Sequence, residues 1–413
     1  MAGKSRSAGR RPSGSGCENV SVITTGRPVI PIARPFVGAE EEEAVLQVLR
    51  SGWLSQGKRV AEFEGQFARY VGAKHSVAVS SCTTALHLAL LAGGIGTDDE
   101  VLCPSLSFIA TANSIRYVGA KPIFVDIDAA TYNLDPNRIE DAITPRTRAI
   151  LAVHQIGLPA ALAEILEIAH RRNLIVVEDA ACAIGSAYQC QHIGMPHAYL
   201  ACFSFHPRKI LTTGEGGMIT TSDEKTAERL KRLRQHAMTT SDVARHSSQS
   251  VLVESYDEVG FNYRMTDMQA AIGTVQLGRV DNFVARRRML AERYSRHLSE
   301  LGWLVPPHEP AGCRHNFQSY MVRLRAGAPV SRDTLMQALL DRGISTRRGI
   351  MATHREAPYR DSRWDKLLPQ TNAVADESII LPLFHQMTEG DQNYVIDSIG
   401  EIGSAPESVA QRK

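Results

Sequence analysis

Residues 176–188 read VVEDAACAIGSAY and residues 200–217 read LACFSFHPRKILTTGEGG. Each half opens on a short apolar run. Asp179 closes the first run, and Lys209 sits thirty residues later in the Gly/Thr-rich turn after the second. An acid ending a strand is most often a cap, and a lysine in a loop is most often a solvated charge. Together they fit the site of a pyridoxal-phosphate enzyme, which needs an amine to hold the cofactor as a Schiff base. It also needs a carboxylate that keeps the pyridine nitrogen protonated. Ser204, five residues before the lysine, offers a hydroxyl to a phosphate oxygen, and the glycines of TTGEGG let backbone crowd a ligand.

Working outward, PIFVDI (122–127), AILAVH (149–154) and LIVVEDA (174–180) are short β-rich apolar runs separated by helical segments such as PAALAEILEIAHRR (159–172). That alternation predicts right-handed βαβ crossovers and a mostly parallel sheet, with ligands beyond the carboxyl ends of the strands. Upstream, AEEEEAVLQVL (39–49) reads as an amphipathic helix with acids in its first turn. VAEFEGQFARYVG (60–72) carries Val60, Phe63, Phe67 and Tyr70 on one stripe, a core face. In SVAVSSCTTALHLALLAGG (76–94) a strand turns into a helix that Ser81 or Thr83 can cap, and the exposed N–H groups there form a seat for a phosphate. Residues 310–403 mix a β-rich segment with helices and predict a smaller α+β domain.

These motifs, with SGWLSQGK (51–58), PSLSFIATANSI (104–115), VHQIGLPA (153–160) and GFNYRMTDMQAAIG (260–273), resemble the DegT/DnrJ/EryC1/StrS family of sugar aminotransferases over roughly residues 30 to 400. The resemblance implies an α/β fold type I architecture, with a large, mostly parallel sheet domain at 29–280 and a small C-terminal α+β domain at 281–413. It implies pyridoxal 5′-phosphate held by Cys82, Thr83, Phe108, Asp179, Cys182, Ser204, Lys209 and Asn262. Phe108 would stack on the ring, and Asn262 would reach the phosphate in the partner subunit's site, which makes a homodimer with shared sites. Two positions depart from the family pattern. Cys82 stands where glycine is usual, which puts a side chain at the close-approach position, and backbone contact from Cys82 and Thr83 then survives if the local φ is negative. Cys182 stands where glutamine or histidine is common. The candidate substrate contacts are Trp53, His154, Arg348 and His354, the last two in TRRGIMATHREAPY (346–359).

Charge excludes a nucleic-acid binder of the clustered kind. Residues 1–28 hold five basic side chains against one acid, and the remaining 41 basic and 43 acidic groups nearly cancel. The opening tail, rich in Gly, Ser and Arg, has no apolar period and reads as disordered. Neither a secretory signal nor a membrane span is legible. Seven cysteines without a CxxC pair suit reduced thiols and a cytoplasmic enzyme rather than a disulfide frame or a metal site.

The resemblance therefore implies transfer of an amino group from L-glutamate or L-glutamine to a keto sugar, typically nucleotide-linked, in amino-sugar biosynthesis. Lys209 is the catalytic residue. Its role as a base asks for a lowered pKa, which a cationic imine and a dry pocket supply. Alternatives are a cyclitol aminotransferase and a sugar dehydratase of the same family; the dehydratases carry histidine in place of the lysine. A DNA-binding regulator would need a module for which the tail is too short.

Overall fold

A computed structural model describes residues 29–240, 245, 248, 250 and 253–404. The expected tail at 1–28 lies outside the described residues, as does part of the polar loop at 238–259.

Seven strands form the main sheet: β1 (His75–Val79), β2 (Glu100–Pro104), β3 (Lys121–Val125), β4 (Thr147–Val153), β5 (Ile175–Asp179), β8 (Leu200–Ser204) and β9 (Gly217–Thr221). Two short strands, β6 (Ala187–Tyr188) and β7 (Gln191–His192), lie between β5 and β8 in the chain. The order across the main sheet is β1-β9-β8-β5-β4-β2-β3. From β8 to β3 every pairing is parallel, and β9 runs antiparallel to both of its neighbours. Helices cover both faces, which is why these strands are apolar on both sides rather than alternating. On one face the helix Cys82–Ala92 is buried nearly all round, with Ala85 to Leu90 in the core. On the other face Phe63 and Phe67 of the helix Lys58–Val71 pack on Phe203 and Phe205, with ring centroids 5.1–5.7 Å apart.

A second sheet, β10-β12-β14-β13, holds β10 (Leu304–Val305), β12 (Tyr320–Leu324), β13 (Arg347–Arg348) and β14 (Ser378–Leu381), all antiparallel. Between β10 and β12, β11 (Cys313–Arg314) pairs with β6 and so ties this part of the chain to the first. The helical pattern expected from Asp267 to about Leu301 is in fact two helices, Asp267–Leu277 and Val280–Ser299, broken at Gly278. The second of these joins the two cores: Val280, Phe283 and Val284 pack on the main domain, while Leu290, Tyr294 and Leu298 belong to the second core. Ile30 also joins the second core and bridges to Ile344, so the first described residues return to the C-terminal unit.

No helix among the described residues is long and apolar enough to cross a membrane.

Candidate active site

The carboxyl ends of β2, β4, β5 and β8 open into a cavity of about 650 Å³. The second domain closes it from above with Arg347, Arg348, Gly349 and Leu383. Asp179 is the last residue of β5, Ser204 the last of β8, and the helix Cys82–Ala92 starts at the cavity wall. Ser81 caps that helix by accepting from Thr84 N at 3.2 Å, so the first N–H groups, those of Cys82 and Thr83, keep no intrahelical acceptor and line the cavity. Two N–H groups at the positive end of a helix dipole make an anion seat.

The Cys82 side chain does not occupy that seat, and the condition on which the sequence made backbone contact depend is met. Its sulfur turns into the core, 3.5 Å from Cys202 O, and its backbone φ is not positive. The close approach falls instead on Gly217, where a Cβ would meet Ser81 C and O at 2.6 Å and Cys82 N at 2.8 Å.

Asp179 is buried, and burial pushes its carboxyl up. The Thr111 hydroxyl at 2.8 Å, the Ala181 N–H at 3.2 Å and the charges of Lys209 and His154 oppose that. Among the described residues no ion pair reaches it at salt-bridge distance. A buried carboxylate that lines the cavity, with Lys209 and His154 acting on it only from beyond salt-bridge distance, is suited to a cationic ring nitrogen. Lys209 Nζ lies 3.0 Å from Cys182 Sγ. Burial alone would lower its pKa as the sequence analysis asked, but Cys182, then Cys82 and Asp179, outweigh burial, and the net direction is upward. An amine, a buried carboxylate and an open helix N-terminus in one cavity thus fit pyridoxal phosphate.

Cys82, Thr83, Phe108, Asp179, Cys182, Ser204, Lys209, His154 and Arg348 all line the cavity. Phe108 is 68% exposed there, a large apolar ring left open to the site. Two substrate assignments need correction. His154 is fully buried, with Nε2 2.8 Å from Glu178 Oε2 and Nδ1 accepting from Ala160 N at 3.0 Å, so no ring nitrogen is left for a substrate. His354 lies outside the cavity lining. Its Nδ1 is 2.7 Å from Ser105 Oγ and its Nε2 3.1 Å from Asn372 Oδ1, which makes it a tie between the main sheet and the helix Pro369–Glu377. Trp53 and Asn262 also lie outside the lining of this chain's own cavity. Trp53 Nε1 donates to Gln56 O, and Asn262 Oδ1 accepts from Arg264 Nε at 3.1 Å. Thr111 was missed by sequence reasoning. The hint was a hydroxyl three residues after Phe108, one helical turn along.

The model of the DegT/DnrJ/EryC1/StrS aminotransferase family matches residues 35–400. The chain is 42% identical over 377 residues to GDP-perosamine synthase of Caulobacter vibrioides, covering 91% of this chain and 98% of that protein. It is 39% identical to the spore coat polysaccharide biosynthesis protein SpsC of Bacillus subtilis, covering 90% and 97%. Among solved structures, Spr1654 from Streptococcus pneumoniae in its PLP form superposes with a TM-score of 0.84 at 26% identity, covering 91% of this chain and 98% of that one. The chain belongs to the DegT/DnrJ/EryC1/StrS aminotransferase family.

Proposed function

We infer that this protein is a pyridoxal-phosphate-dependent sugar aminotransferase of amino-sugar biosynthesis, and that L-glutamate or L-glutamine gives its amino group to a keto-deoxysugar carried on a nucleotide. The observation that carries the reading is the meeting of Lys209 and Asp179 in one cavity with the open N-terminus of the helix Cys82–Ala92. When bound, the cofactor supplies an electron sink that stabilises negative charge on the carbon beside the transferred nitrogen.

The chain's own groups do the rest. The N–H groups of Cys82 and Thr83 and the Ser204 hydroxyl would hold the phosphate. Asp179, fixed by Thr111 and Ala181, would keep the ring nitrogen protonated. Phe108 would cover one face of the ring. Lys209 would hold the cofactor through Nζ, and the same amine is placed to carry a proton to and from the reacting carbon of the substrate, a transfer worth typically 10²–10⁴-fold in rate. Cationic Arg348 and Arg347 stand at the mouth, suited to a substrate that bears phosphate.

The reading extends to a cytoplasmic homodimer. Asn262 and Trp53 lie outside their own cavity, and Val37, Leu46, Leu49 and Leu54 are exposed apolar groups in and flanking the helix Ala39–Ser51. In such a dimer Asn262 would reach the phosphate in the partner's site. The test is to convert the protein to the pyridoxamine form, add candidate keto sugars and watch the cofactor spectrum. Return of the pyridoxal spectrum with a nucleotide-linked keto sugar supports the reading, and no return with any keto sugar or cyclitol ketone refutes it.

A further inference from the structure

One of the two positions at which this chain departs from the family pattern is in contact with the active-site lysine. Cys182 Sγ and Lys209 Nζ are 3.0 Å apart, and both side chains line the cavity. Each is held from behind. Asn316 Nδ2 donates to Cys182 O at 2.7 Å and to Ile184 O at 2.8 Å, and Ala183 N closes a turn on Ala180 O at 2.9 Å. Lys209 N donates to His206 O at 2.8 Å, which fixes the turn that carries the lysine. Of the two neighbouring thiols, both buried, Cys82 acts on the amine only through its charge, its sulfur being turned toward Cys202 O, and Cys182 makes the hydrogen bond.

We propose that Cys182 is a positioning residue for Lys209: its sulfur receives the amine whenever Nζ is not covalently engaged, fixing where the amine points and how readily it gives up its proton. The inference rests on the aminotransferase reading, in which Nζ is freed and recaptured in every turnover. A glutamine or histidine at this position would offer the amine a neutral partner. A sulfur 3.0 Å from Nζ instead gives the amine an acceptor that favours its protonated form.

The other groups that face Lys209 are Asp179 from the end of β5, Cys82 from the start of the helix Cys82–Ala92, and His206 and Arg208 from its own turn. Asp179 is already engaged by Thr111 and Ala181, and the structure shows no hydrogen bond between it and the lysine. Cys182 thus stands apart as the group in direct contact.

The experiment is competitive acetylation with trace acetic anhydride on the cofactor-free protein across a pH series, reading the Lys209 peptide by mass spectrometry. It compares wild type, Cys182→Ala and Cys182→Ser. The expected result is that Cys182→Ala moves the Lys209 profile to lower pH by about 1–3 units. Serine, which keeps an acceptor at this place on a smaller atom, should fall between. In the loaded enzyme, the acidic limb of the pH–rate profile for the donor half-reaction should move in the same direction, with the donor KM little changed. A Cys182→Ala profile that superimposes on wild type overturns the proposal, and so does a shift to higher pH. A protein that shows the acetylation shift but transfers no amino group would instead refute the functional reading and leave the pair intact.

Discussion

Replacing Gly217 by alanine tests how tightly the phosphate seat is built. Gly217 begins β9 and pairs with Val79 on one side and Ser204 on the other, so its backbone is fixed by two strands. A Cβ there would stand 2.6 Å from Ser81 C and O and 2.8 Å from Cys82 N, all backbone atoms that no rotamer change can move. Overpacking of this kind costs about 1–3 kcal/mol. The strand is anchored in the sheet, so the displacement falls on Ser81 and Cys82, where the helix turns its free N–H groups to the cavity. If the whole cost appears in the seat, cofactor affinity drops by about 5–150-fold. The assay is a cofactor titration followed by absorbance, paired with the melting temperature of the cofactor-free protein. Gly278→Ala is the control. Its φ of −63° suits alanine and its Cβ would meet little beyond Val275 O at 3.5 Å, so it should be neutral or stabilising by about 0.4–1 kcal/mol. A Gly217→Ala protein with wild-type affinity and wild-type melting would refute the reasoning.

Asp179→Asn should keep cofactor binding but lower turnover by about 10²-fold or more, since an amide cannot hold a ring nitrogen protonated; unchanged kcat in steady-state assays would contradict that role. His354→Ala should lower the unfolding free energy by about 1–3 kcal/mol, because Ser105 and Asn372 lose a buried partner. Its cofactor affinity should stay at the wild-type value, and a selective loss of substrate binding would restore the role first expected of it. Stability should also fall with acid. Burial lowers His315 to about 3 and His385 to about 4, so the unfolded chain takes up protons near pH 6.5 that the fold refuses. The contribution is complete above pH 6.5 and declines below it until the folded values are reached. The loss is about 1.4 kcal/mol per pH unit for fully buried His315, and smaller for His385, which solvent partly screens. Urea unfolding of wild type and His315→Phe at pH 7 and pH 5 checks this, and an equal loss in the two proteins would exclude His315 as a cause.

Much of the site was legible because its chemistry sits at the ends of apolar runs. Asp179 and Ser204 close β5 and β8 and Lys209 follows in the turn after β8, so the apolar runs ahead of them mark their places. Histidines are different. Whether His154 or His354 has a nitrogen to spare depends on Ala160, Glu178, Ser105 and Asn372, and Ser105 is 249 positions from His354. A single sequence carries no trace of such partners. For Cys82 the sequence left the outcome conditional for a related reason: residue type shows that a side chain is present, while its direction depends on where Cys202 and β8 lie. The break at Gly278 escaped notice because apolar residues continue at helical spacing on both sides of it.

The claim on which everything else depends is that Lys209 is the amine that holds the cofactor. Borohydride reduction of the loaded protein, followed by digestion and mass spectrometry, tests it directly. The expected result is the reduced pyridoxyl group on the peptide containing Lys209, and its absence from that site in Lys209→Ala even though the variant still binds cofactor. A reduced adduct on another lysine, such as Lys225, with near-normal transamination by Lys209→Ala, would contradict it.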